Sequence, residues 1–307
     1  MALDENGGLY ATSCLIVNPA DIRKEKVSNI FIWHDGRWSQ VGTGGANGDI
    51  RALACIGSDL YATGDFTRIG GFSARRIARW DGKVWSPLGK GLNGPGWTML
   101  ASNGKLFVGG HFTKAGDSSV SNIACWNKAT WAALGLGLNH TVKTIKVYGN
   151  AIIAGGQFYM SGIVRAEKIA KWDGSSWADM GVRAVSLAVK SIDETASISA
   201  METSGSVLFA NGLLQARANS PERRFYPVLA WNGLEWKPLD FPGARYDLSN
   251  SPYSAGQELP RWSVHVMTLC QGVLLAGGRF PAQDSQGDYH LAQWDGTRWS
   301  SIARFSD

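Results

Sequence analysis

The chain has 307 residues, 44% hydrophobic and 18% charged, which is enough to bury a large core. It contains no run of 18 apolar residues, which excludes a transmembrane helix from this sequence. A net charge of +5 is moderate and selects no class of partner by itself.

The first elements are degenerate. GGLYATSCLIV, from Gly7, reads as a buried strand, and Trp33 to Trp38 (WHDGRW) reads as a hairpin. The start, MALDENGGLYA, has neither the basic nor the apolar segment of a secretory signal.

From Asp49 the pattern becomes regular. An apolar run (DIRALACIG) is followed by DLYATGDFTRIGG and then by IARWDGKVWSPLGKG. We letter the four expected strands a (RALAC), b (LYATG), c (IARWDG) and d (VWSPLG). Strand b ends in small residues or glycine, as where two backbones approach closely. Asp81-Gly82 predicts a two-residue type I′ turn between c and d, because both residue types tolerate positive φ.

The unit recurs down the chain. Its mark is a pair of tryptophans five residues apart: Trp33 and Trp38, Trp80 and Trp85, Trp126 and Trp131, Trp172 and Trp177, Trp231 and Trp236, Trp294 and Trp299. Successive pairs lie 47, 46, 46, 59 and 63 residues apart. A period in the mid-forties with four strands per unit indicates a β-propeller. A lone four-stranded sheet cannot bury both faces, whereas stacking it on its copies does so, which explains large aromatics at fixed positions. Six pairs predict an all-β, six-bladed β-propeller rather than a seven-bladed one. The chain is expected to be one propeller domain, with blades over about 1–42, 43–89, 90–135, 136–181, 182–239 and 240–307. Strand a of blade one is unclear: Met1–Asn6 supplies it, or Ala303-Arg304-Phe305 does, or it comes from a longer protein of which this chain is a part.

The repeats carry a resemblance. IARWDG..W..LG.GLN at Ile77–Asn93 and NIACW…W..LG.GLN at Asn122–Asn139, each preceded by L(Y/F)(A/V).G.FT..G, resemble the repeats of kelch-like and Rax2-like propellers. Such repeats occur in fungal cortical markers and in bacterial surface proteins of unknown role. The resemblance spans nearly the whole chain and is clearest in blades two to four. It implies a propeller and brings no catalytic motif with it.

Four cysteines, Cys14, Cys55, Cys125 and Cys270, form no CxxC and no zinc spacing. They read as small buried strand residues without disulfides, which leans towards a reducing compartment. An intracellular location follows if the chain is complete, and a cell-surface or extracellular one if it belongs to a longer protein. One sequon, Asn139-His140-Thr141, decides nothing.

The five histidines form no HExxH, there is no GxSxG, and His111 merely replaces the Asp65 or Gln157 of sister repeats. His34 reads as a turn residue. Gly42–Gly48 is glycine-rich but lacks the following helix of a phosphate loop. The chain is therefore expected not to be an enzyme and to use neither cofactor nor metal.

Length variation is confined to the b–c connections and the d-to-a links, which share one face of a propeller. The variable segments are Asn18–Ser28, Gln215–Arg224, the connection containing Asp284, Asp288 and His290, and the links Arg183–Thr195 and Phe241–Trp262. Insertions on one face of a repeat fold mark a binding face. The b–c connections hold 13 basic residues against seven acidic ones. Among the basic ones are Arg75, Arg76, Lys168, Arg217, Arg223 and Arg224. A partner protein of acidic character, in a larger assembly, is the expected ligand. A glycan is the alternative, because tryptophans between blades could stack sugars as in propeller lectins. Nucleic acid is disfavoured, since no stacking or recognition motif is present. The tryptophans of the pairs read as packing residues. Trp97 and Trp262 stand outside the pairs, beside d-to-a links, and are the expected recognition aromatics.

Overall fold

The computed structural model describes residues 1–15, 27–184, 197–215, 224–239, 246–247, 263–280 and 289–303. They contain strands and turns and no helix. The strands form six antiparallel four-stranded blades, so the fold is a six-bladed β-propeller. No helix of the described residues is long and apolar enough to cross a membrane. The chain divides into two compact units, Met1–Ile145 and Lys146–Asp307, with the boundary inside strand a of blade four.

In the first unit, blade one comprises Ala2–Leu3, Leu9–Leu15, Val27–His34 and Arg37–Gln40. Blade two comprises Ile50–Ile56, Asp59–Gly64, Ile77–Trp80 and Trp85–Pro87. Blade three comprises Gly96–Ser102, Lys105–Gly110, Ile123–Trp126 and Trp131–Ala133. The N-terminus thus supplies strand a of blade one, through the pairs Ala2↔Tyr10 and Leu3↔Leu9. Asp4 ties it down, accepting hydrogen bonds from the Asn6 and Gly8 amides at 2.9 and 2.8 Å.

Blade four, whose first strand contains the boundary, comprises Val142–Tyr148, Ala151–Gly156, Ile169–Trp172 and Trp177–Asp179; the blades that follow lie in the second unit. Blade five comprises Met201–Ser204, Val207–Gln215, Arg224–Trp231 and Trp236–Pro238. Blade six comprises Ser263–Cys270, Val273–Phe280, Tyr289–Trp294 and Trp299–Ala303. Parts of the two long links join blade five: Arg183–Ala184 pairs with its strand b, and Tyr246–Asp247 with its strand c.

The core sits between successive blades. Leu60, Phe66 and Trp85 of blade two pack with Tyr10 and Ile30 of blade one. Tyr61, Ile77 and Leu88, on the other face of blade two, pack with Leu106, Phe112 and Trp131 of blade three. In the second unit Met180 and Ile169 meet Leu208 and Trp236, and Leu239 and Val228 meet Leu274 and Trp299. Burying each such side chain contributes about 1.5–3 kcal/mol.

Within each pair the rings stand 5.2–5.6 Å apart, tilted by 46–55°. The strand-d tryptophans Trp85, Trp131, Trp177, Trp236 and Trp299 are 3–7% exposed. In three of them the indole reaches back to the end of strand d of the preceding blade. Trp131 Nε1 donates to Leu88 O at 3.3 Å, Trp236 Nε1 to Met180 O at 2.8 Å and Trp299 Nε1 to Leu239 O at 3.4 Å. Trp80, Trp126, Trp172, Trp231 and Trp294 are half-buried. Trp33 and Trp38 of blade one differ, with 40% and 49% of their surface exposed.

Three expectations are corrected. The type I′ turn is absent from blade two, where it was expected at Asp81-Gly82: the ladder ends at Trp80↔Trp85, and only Gly82 is left-handed, with φ 94°. Such a turn occurs in blade one, where Asp35 and Gly36 both have positive φ (51° and 75°) and His34 pairs with Arg37 as the last strand residue. Asp81 instead folds a four-residue loop, its Oδ1 accepting the Lys83 and Val84 amides at 2.9 Å each. Asn127, Asp173, Asn232 and Asp295 do the same in blades three to six. A short polar side chain that satisfies two orphan amides outcompetes the mirror-image turn. The cysteines also differ in burial: Cys125 is buried, Cys55 half-buried and Cys270 exposed, all three free thiols. Cys270 ends its strand at the a–b turn, where period-two alternation turns it outward. Lastly, Lys168 is a buried residue rather than part of a basic surface.

Candidate functional site

The b–c connections of blades two, three and four are built, not slack. Each folds into a two-rung hairpin: Arg68–Ile69 with Phe72–Ser73, Lys114–Ala115 with Ser118–Ser119, and Met160–Ser161 with Val164–Arg165. In blades two and three an asparagine from the preceding link holds it. Asn47 Oδ1 accepts the Thr67 and Arg68 amides at 2.9 and 2.8 Å, and its Nδ2 donates to Thr67 Oγ1 at 3.0 Å. Asn93 repeats the arrangement on Thr113 and Lys114 at 2.9, 2.8 and 2.8 Å. One residue of each hairpin points down and is buried, namely Ile69, Ala115 and Ser161. The tips point out. Phe72 is 48% exposed between the exposed Arg68 and Arg75. In the second unit Tyr159, Ile163 and Val164 are exposed beside Arg165, which is paired with Glu167 at 2.6 Å.

The two adjacent arginines of blade two divide by role. Arg75 is exposed, and its carbonyl accepts the Leu92 amide at 2.9 Å. Arg76 is half-buried with φ 64°, and its Nη1 donates to Leu92 O at 3.2 Å. Asn122 and Lys168 hold the same left-handed position in the next two blades, at φ 60° and 64°. Their side chains also turn inward, Asn122 Nδ2 to Leu138 O at 2.7 Å and Lys168 Nζ to Gln157 O at 3.1 Å. Arg76 therefore serves packing, and the basic face is thinner than its count of residues suggests. The Arg224 backbone pairs with Asp247. Arg217, Arg223 and Trp262 lie outside the described residues.

Trp97 belongs to a second feature of the same end of the blades. Strand a carries a one-residue bulge in blades two, three and six, between Ile50 and Ala52, Gly96 and Thr98, and Val264 and Val266. The bulged residues are Arg51, Trp97 and His265, all exposed. Bulges re-aim side chains and recur beside functional sites. The glycine ending strand b makes the bulge possible. A Cβ on Gly64 would stand 1.9 Å from Asp49 O, the carbonyl that accepts the Asp65 amide at 2.8 Å. In the first unit the bulged residues meet: the Arg51 guanidinium lies 4.0 Å from the Trp97 ring centroid. Asp65, just past Gly64, accepts from Arg51 Nε at 2.9 Å and from Nη2. Arg51 and Asp65 were not legible as site residues, although aligning DIRALAC with GWTMLAS sets Arg51 beside Trp97.

The exposed His111 occupies the place of Asp65 in blade three. Its Nδ1 meets Thr141 Oγ1 at 3.3 Å, and its ring stands 5.8 Å from that of His140. His140 Nδ1 is buried without a partner. Among the described residues no group of three or more His, Cys, Asp or Glu is arranged to hold a metal ion.

The family model described as "Domain of unknown function (DUF5122) beta-propeller" matches residues 101–128, within blade three. No curated protein matches the chain. Among solved structures, the β-propeller domain of the trilobed protease from Pyrococcus furiosus is similar, with a TM-score of 0.51 and 12% identity. The match covers 99% of this chain and 83% of that domain, which has an open velcro topology. At that identity the likeness concerns the fold alone. The two comparisons agree on a β-propeller.

Proposed function

We propose that this chain is a non-enzymatic binding module of a kelch-like or Rax2-like propeller, capturing another protein on the face formed by its b–c hairpins. The observation that carries the reading is the pre-ordered hairpin of blade two. It holds Phe72 out in solvent, flanked by two exposed arginines, on a backbone fixed by Asn47. An exposed aromatic with an exposed arginine on either side of it in the chain, on a rigid support, is what a partner's anchor pocket with an acidic rim would recognise. Pre-ordering also reduces the entropy lost on association. The exposed Arg68 and Arg75 favour a partner of acidic character.

The test is capture from native extract by the full chain and by a Phe72→Ser, Arg68→Glu, Arg75→Glu variant. The variant is expected to lose the captured protein while its thermal midpoint stays within about 3 °C, since all three side chains are surface positions. Recovery of the same protein in the same yield would reject the reading.

A further inference from the structure

We infer that Arg51, Asp65 and Trp97 form a subsite for one neutral pyranose ring of a glycan. This site is separate from the hairpin residues of the proposed protein interface, and neither reading depends on the other.

The Arg51–Asp65 pair is bonded one-sidedly. Both hydrogen bonds of Arg51 end on Asp65 Oδ2, which leaves Oδ1 open. The side chains are 28% and 37% exposed. Arg79 and Asp59 in the same blade show the contrast: Nε and Nη2 bind Oδ2 and Oδ1 at 2.7 and 2.8 Å, so both carboxylate oxygens are used. That pair is closed on itself. The Arg51–Asp65 pair keeps an acceptor, Oδ1, and a donor, Nη1, that neither of its two hydrogen bonds uses. Adjacent hydroxyls of a sugar match that array, one donating to Oδ1 and its neighbour accepting from Nη1.

The aromatic completes the set. Trp97 remains 37% exposed with the guanidinium in place, giving the C–H face of a sugar ring an apolar surface beside the polar pair. The bulges place Arg51 and Trp97 on strand termini, and Asp65 directly follows strand b with its amide bonded to Asp49 O at 2.8 Å. Charge sets the class of ligand. The ion pair is neutral overall, so an anion meets Asp65 and a cation meets Arg51, while an uncharged polyol meets neither penalty.

The experiment is saturation-transfer NMR and titration calorimetry on the full chain. The probes are the methyl glycosides of glucose, mannose, galactose and N-acetylglucosamine, their short oligosaccharides, and methyl glucuronide as the anionic control. At least one neutral probe is expected to bind, with Trp97→Ala weakening it about tenfold or more and Trp97→Phe weakening it less. Asp65→Asn leaves the Arg51 charge unbalanced. It is expected to move the preference towards glucuronide, a reversal that loss of folding cannot mimic. Absence of binding by every neutral probe at about 20 mM, well above the millimolar affinities of weak ligands, would overturn the inference. So would equal binding by Trp97→Ala, or a neutral preference kept by Asp65→Asn. Protein capture that survives in Trp97→Ala would leave the proposed function untouched.

Discussion

Trp131 and Trp38 hold the same place in the repeat and live in different surroundings. Trp131 is 7% exposed, packed among Leu88, Leu106 and Phe112, with its indole N–H on Leu88 O. Trp38 is 49% exposed. Both belong to hairpins with similar ring geometry, 5.2 Å between centroids at Trp126–Trp131 and 5.5 Å at Trp33–Trp38. The motif therefore builds the hairpin locally, and burial is conferred by what a preceding blade offers. Blade two offers blade three two things: the carbonyl of Leu88 for the indole, and Asn93 for the b–c hairpin.

The largest expected effect separates the two tryptophans directly. Trp131→Ala removes a buried indole and its hydrogen bond, and is expected to lower stability by about 3–5 kcal/mol. Trp38→Ala is expected to lower it by about 1 kcal/mol or less, as for an exposed side chain. Denaturant unfolding of both variants decides the matter. Comparable losses would show that Trp38 is covered in solution and that the two positions do not differ.

This contrast also explains what the amino-acid pattern could convey. The Trp pairs and the small residues ending strand b report backbone pairing within a blade, which is local, so blade number and strand order were readable. Exposure of Trp38 depends on a neighbour and leaves no mark in WHDGRW. The bulges were hidden because one extra residue in a short apolar run does not disturb its composition. The two-rung hairpins were hidden in FTRIGG and FTKAG, where two-residue strands are too short for a period to appear. Arg76 misled for a different reason: a basic residue in a connection reads as surface, whereas its left-handed backbone turns the side chain inward. Asp65 escaped notice because His111 and Gln157 replace it in sister blades, and variation at a repeat position looks like drift. In a repeat fold, variation is also where specificity resides.

A middle-sized effect tests the second contribution of a preceding blade. Asn93→Ala strips two amides and one hydroxyl of their partner without touching strand pairing. A loss of about 1–2 kcal/mol is expected. The Thr113 and Lys114 amides should exchange hydrogen faster while the strands of blade three stay protected. Uniform loss of protection across blade three would mean that Asn93 supports the whole blade rather than the hairpin alone.

The smallest effect concerns a device that needs no neighbour, the c–d turn closed by its own Asp or Asn. Hydrogen bonds from the amides of Arg298 and Thr297, with the Thr297 hydroxyl, hold the Asp295 carboxyl down to about 2, below its ordinary 3.8. The amides of Ser176 and Ser175, with the Ser175 hydroxyl, lower Asp173 in the same way, and those of Val84 and Lys83 lower Asp81. A carboxylate whose pKa is depressed in the folded state contributes stability that is complete above the unfolded value and is lost as pH falls through the folded one. The contribution should therefore be present above about pH 4 and fade towards pH 2. Asn127 and Asn232 build the same turn without a titrating group, so Asp173→Asn with Asp295→Asn should leave the midpoint at pH 5 nearly unchanged. The double variant should lose less between pH 4 and 2 than the native chain does. If its midpoint falls as steeply in that window, the turn carboxylates do not carry the acid sensitivity.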